Sequence, residues 1–101
     1  MKYIGFYEMD QEDKYKVFEI DDNLGVEYNA DPEKWKHKYG DVVFGPYFLG
    51  MEPKGMVVFE FNDPMQMINI ERAFWPYKRW RFVPLLDVEQ VKESYKKSMS
   101  G

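Results

Sequence analysis

The sequence predicts one α+β domain over residues 1–101: a four-stranded, antiparallel-rich sheet, two crossover helices on one of its faces and a further helix at the C-terminus. Three observations carry that reading. Short runs of β-forming residues alternate with helical stripes in the order β-α-β-β-α-β, and one more helical stripe follows. Within the strands, proline occurs only at Pro46 and Pro84, one in the second strand and one in the fourth. Strands one and three lack the apolar–polar alternation of a sheet with one wetted face.

The first strand, Lys2 to Glu8 (KYIGFYE), has Ile4 and Phe6 on one alternating set and Tyr3 and Tyr7 on the other. Asp10 reads as a helix N-cap, with Glu12 and Asp13 in the first turn, where the helix dipole favours acidic groups. Val17, Ile20, Leu24 and Tyr28 form a helical stripe, although Gly25 interrupts it and KYKVFEI also fits a strand. Asp31-Pro32 starts a second, short helix, because aspartate suits the cap and proline the first turn, and Gly40 stops it. Val42 to Leu49 is the second strand, GMEPKG a turn, and Gly55 to Phe61 the third strand. Asn62-Asp63-Pro64 opens a helix with Met67, Ile70 and Phe74 on one stripe, and Met65 and Ile68 are assigned to core filling with them. Lys78 to Leu86 is the fourth strand, with Trp80 and Phe82 on one set and Arg79, Arg81 and Val83 on the other. Asp87 caps the last helix, which carries Val88, Val91 and Tyr95 on one face, and the tail SMSG is expected to fray.

This order is the ferredoxin-like, or split βαβ, arrangement. Right-handed crossovers put strands one and three in the centre and strands two and four at the edges. An edge is where a sheet accepts proline, which has no N–H to give the ladder. Proline placement and element order are separate signals, and they agree.

With both crossover helices on one face, Ile4, Phe6, Val57, Phe59 and Phe61 are assigned to the helix side. Tyr3, Tyr7, Met56 and Val58 are then left on the opposite face, with Glu60 as its polar exception. Such a patch is at or above the largest that a soluble monomer ordinarily exposes. The expected cover is a second copy related by a two-fold axis. Two sheets face to face make a dimeric α+β barrel with a lumen. Glu60 and Arg81 are expected to pair inside it, because a buried charge needs a partner. Tyr3, Tyr7 and Tyr47 are expected to line the same space with hydroxyls.

Composition narrows the function classes. A net charge of −4 argues against a general polyanion binder. The absence of cysteine excludes disulfides, thiolate metal sites and cysteine nucleophiles, and fits a reducing compartment. The start MKYIGFYEMD turns acidic before a signal-peptide core could form, and no apolar run approaches a membrane span. The expectation is a soluble, cytoplasmic protein with no membrane or nucleic-acid partner. RAFWPYKRWRF mixes basic and aromatic residues as a single-strand binder would, but GMVVFEF lacks the RNA-binding sheet signature and carries Glu60 instead. Phosphate-loop motifs and metal-ligand spacings are missing, so no cofactor and no metal are expected.

The residues FGPYFLG, KGMVVFEF, DPMQMIN and RFVPLLD resemble a family of small prokaryotic proteins of about this length, classed only as a domain of unknown function. That family is placed among the dimeric α+β barrels, which are ferredoxin-like. MKYIGFYEMD is also similar, residues 14 to 40 diverge, and Gly25-Val26 inside the first helix is atypical. The resemblance implies the fold and the homodimer and no catalytic residue. The wider superfamily includes cofactor-independent oxygenases, lactone isomerases, haem-degrading enzymes and ligand sensors, among which fold analogy does not choose.

The functional expectation is a homodimeric small-molecule binding or sensing module with an aromatic-lined lumen. Its ligand-binding candidates are Tyr3, Tyr7, Tyr47, Glu60, Arg81 and His37. The alternative is a cofactor-independent monooxygenase or isomerase for a small aromatic or lactone-like substrate, with a tyrosine, His37 or Glu60 in acid–base roles. Against it, His37 sits in the last turn of a Lys-rich helix, where a cation simply complements the dipole. A third reading is a purely structural partner protein.

Overall fold

The computed structural model describes residues 1–100. β1 (Lys2–Met9) leads through a short 3₁₀ turn (Gln11–Asp13) into α1 (Lys14–Ala30) and α2 (Pro32–Tyr39). β2 (Asp41–Phe48) and β3 (Lys54–Glu60) follow, then α3 (Pro64–Phe74), β4 (Lys78–Pro84) and α4 (Val88–Ser100). The four strands form one antiparallel sheet in the order β2-β3-β1-β4. Pro46 and Pro84 therefore lie in its two edge strands. Of two register shifts against β3, the second, between Phe44 and Tyr47, contains Gly45-Pro46, where Gly45 takes φ +90°, so the ladder is interrupted at the residue that cannot donate to it. The tail expected to fray is helical through Ser100, and Gly101 lies outside the described residues.

Helix starts follow local chemistry. Asp31 accepts from the backbone N–H of Lys34, with Pro32 opening α2. Asp63 and Gln66 form a capping box on α3, and Asp87 and Gln90 satisfy each other's backbone N–H groups at α4. Asp10 differs from expectation: it makes no side-chain cap, and Arg79 lies 3.5 Å from its carboxylate instead. Gln66 is buried and does double duty, its amide donating to the last-turn carbonyls of Lys36 and His37. One side chain thus starts α3 and closes α2, locking the two helices together.

The core lies between the sheet and α1, α2 and α3. Val17 is fully buried, and Tyr39, Ile70 and Phe74 meet Val57, Phe59 and Phe61 across it. β1 has the opposite phase to the one expected. Its helix-facing set is Tyr3, Gly5, Tyr7 and Met9, with Tyr7 and Met9 buried in the core, while Ile4 and Phe6 lie on the open face. Gly5 shows why. The parallel rings of Trp80 and Phe82 lie over it, and a Cβ there would stand 3.0 Å from one and 3.1 Å from the other. Met65 and Ile68 are exposed rather than core-filling, because α3 turns Gln66, Ile70 and Phe74 inward.

Gly55 is under a tighter constraint. The Tyr7 hydroxyl crosses it to donate to the carbonyl of Tyr47 at 3.0 Å, and a Cβ at Gly55 would overlap both groups. Gly25 is the reverse case: it lies mid-helix with open space where its Cβ would be. Gly55→Ala should therefore cost about 3 kcal/mol by overpacking, and Gly25→Ala should stabilise by about 0.5–1 kcal/mol through helix propensity. Urea unfolding midpoints of the two variants check the opposite signs.

Candidate functional site

A cavity of about 590 Å³ lies between the covered face of the sheet and the helices. Val57, Phe59 and Trp80 form its floor, Ile70 and Phe74 one wall, and Leu24, Tyr28 and Trp35 another. Exposed residues Asp21, Gly25, Asn29, Asp41 and Pro46 line its rim. The walls are held by ring contacts: Tyr28 meets Trp35 edge-on at 5.6 Å, and Trp80 contacts Phe59 and Phe74, each at 5.8 Å.

Lys78 sits on this cavity and is only 4% exposed. It is the first residue of β4, opposite Met9, so it shares the helix-facing set with Trp80 and Phe82. Its ammonium stands 3.9 Å from the centroid of Tyr7, 4.0 Å from Phe74 and 4.7 Å from Trp80. It enters none of the ion pairs among the described residues. Burial strips water from the charge, which the ring faces only partly replace, and the lysine pKa falls to about 8 against the pull of Asp21. The carboxyl of Asp21, crowded by the cavity wall, is pushed up by desolvation, which outweighs the opposing effect of Lys78. Burial likewise raises the Tyr7 phenol to about 12. Two further polar groups stand unsatisfied: the indole N–H groups of Trp35 and Trp80 are buried without a hydrogen-bond partner, and both rings line the cavity.

The six residues expected to line a lumen fall in different places. Tyr3 and Tyr7 are on the covered face, Tyr3 against the Phe61 ring and Tyr7 beneath Lys78. Tyr47, Glu60 and Arg81 are on the open face. Glu60 and Arg81 do not pair with each other: they stand opposite Lys2 and Phe6, roughly 13 Å apart along β1 at the usual strand rise. Glu60 pairs with the N-terminal amine at 2.8 Å, and Arg81 rests on the Phe6 ring at 4.8 Å. His37 is exposed on α2, and the backbone carbonyl, not the ring, meets Gln66. Neither Glu60 nor His37 reaches the cavity.

Sequence reasoning missed Lys78, Asp21 and Trp35. For Lys78 the signal was present, because two residues before Trp80 in a strand is the same face. Strand alternation gives no comparable signal for Asp21 or Trp35, which reach the cavity from two different helices.

A buried, partly neutral lysine makes stability depend on pH. The native amine titrates near 8 and the unfolded one near 10.5. Below 8 it is charged in both states, and the full desolvation cost opposes folding. Above 8 only the unfolded chain keeps the proton, so stability should climb with pH toward 10, by up to about 1.4 kcal/mol per pH unit. Beyond 10 the buried Tyr7 phenol reverses the trend, since there only the unfolded phenol ionises. Denaturant midpoints measured across this range should show the rise in the native sequence and lose it in Lys78→Met.

Comparison with known proteins finds no matching family model, no similar curated protein and no similar solved structure.

Proposed function

We propose that the protein is a homodimeric binding or sensing module for a small apolar or aromatic ligand with a polar end. The cavity carries the reading: it falls within the range of roughly 300–1,000 Å³ of small-molecule sites and combines apolar walls with a few convergent polar groups. Rings offer the ligand its contact area, and Lys78, which lines the cavity, offers it a donor. In this reading the ligand sits within each protomer, between sheet and helices, and not in a lumen between two sheets.

The homodimer is supported by the opposite face. Ile4, Phe6, Met56, Val58 and Val83 present a half-buried apolar surface there, extended by exposed Phe44 and Tyr47, whose rings meet at 5.0 Å. α4 adds Val88, Val91, Tyr95 and Met99, all exposed on a helix that projects from the body. The radius of gyration is 16.0 Å, whereas a compact chain of this length has about 13 Å. A second copy would cover the sheet and dock both α4 stripes in one isologous contact. We take the frame to be ferredoxin-like and the pair to be an α+β barrel.

Sedimentation should give twice the protomer mass, and Val58→Lys, a charge at the centre of the open face, should weaken the pair about a hundredfold or more. Ligand binding is tested separately. Benzyl alcohol and indole should raise Tm in proportion to the logarithm of their concentration. Gly25→Leu, which extends a side chain from the rim, should abolish that rise without unfolding the chain. No stabilisation by any apolar ligand would sink the cavity reading; a lone protomer in the centrifuge would sink the dimer.

A further inference from the structure

We infer that Lys78 is a carbonyl-reacting amine: the cavity takes an apolar or aromatic aldehyde or ketone, and the Lys78 nitrogen forms an imine on its carbonyl carbon. The inference rests on the cavity being the ligand site and names the chemistry of that same site. Geometry carries it. The side chain rises from a strand residue fixed opposite Met9, and three ring faces hold its nitrogen at the cavity wall. A surface lysine swings freely, whereas this one is pre-positioned. No ion pair among the described residues has to break before the nitrogen can react. Asp21, a carboxylic group electrostatically coupled to Lys78, lines the same cavity and supplies an acid–base partner.

The step balances without an oxidant or reductant. The lone pair of the neutral amine attacks the carbonyl carbon, a C–N bond forms, and the C=O π pair moves to oxygen. That oxygen takes up a proton as the nitrogen loses one, giving a carbinolamine. The C–O bond then breaks as its oxygen takes up a proton through Asp21, water leaves, the nitrogen lone pair completes C=N, and the proton left on that nitrogen passes back to Asp21. Each imine releases one water, and hydrolysis reverses the sequence. Desolvation of an amine against apolar walls is a recognised way to activate lysine for this chemistry. At pH 7 an amine of pKa about 8 is unprotonated roughly three hundred times as often as an ordinary lysine.

The test uses the full chain, benzaldehyde as probe and cyanoborohydride to trap imines at neutral pH, with adducts mapped by peptide mass spectrometry. Lys78 should acquire the benzyl group at least about tenfold faster than any of the other ten lysines. Excess benzyl alcohol, the same ring without a carbonyl, should slow labelling at Lys78 alone. Lys78→Arg should keep the cation and lose the fast adduct. If benzyl alcohol stabilises the protein but Lys78 labels no faster than surface lysines, the amine chemistry is overturned and the ligand cavity stands. If neither compound binds or labels selectively, both readings fall.

Discussion

Two glycines in the central strands, Gly5 in β1 and Gly55 in β3, set what can be built on the covered face of the sheet. Neither carries a side chain there, so neighbouring rings come close over the backbone. Trp80 and Phe82 stack nearly parallel over Gly5, at an interplanar angle of 3°. The Tyr7 ring passes over Gly55, and its hydroxyl reaches the β2 backbone. Of these rings Trp80 reaches the floor of the cavity, beside Val57 and Phe59. Tyr7 and Trp80 from the sheet and Phe74 from α3 give Lys78 three ring faces in place of a carboxylate. A side chain at either glycine would displace those rings.

Element order, edge positions of the prolines and helix caps were legible because each rests on local chemistry. DPMQ specifies a capping box, and strands two and four take proline because an edge can spare a donor. The phase of β1 was not legible from periodicity, since both of its alternating sets are apolar. A finer signal existed: Lys2 and Glu8 share a set with Ile4 and Phe6, and charged ends mark the face that is not packed under helices. Reading that would also have placed Gly5 beneath the Trp80 and Phe82 rings. Lys78 was hidden differently. It opens the run KRWRF, where three cations read as a solvated surface, although alternation separates Lys78 from Arg79 and Arg81. Charge pattern and strand period disagreed, and the period decides which way a side chain points.

The two faces of the sheet make separate demands on the chain. The covered face packs under the helices and borders the cavity. The open face carries apolar residues on all four strands, and α4 carries a stripe of exposed apolar residues. Arg81 lies flat on Phe6, its stem covering apolar surface with the guanidinium at the ring face, an arrangement an interface can bury without stranding a charge. Because the cavity and the open apolar face lie on opposite sides of the sheet, a single substitution can alter one without touching the other.

The cost of the cavity argues that it is kept for use. A domain of this size has a slim margin of stability, of the order of 5–15 kcal/mol. Around one small space it leaves two indole N–H groups unpaired, each worth about 1–3 kcal/mol when buried without a partner. It also holds a lysine where a leucine would pack without any desolvation cost. Packing alone gives no reason to place all three on one cavity, since scattered defects would cost as much and converge on nothing. In the reading proposed above, an acceptor on a ligand would offset the desolvation of Lys78, which lines the cavity.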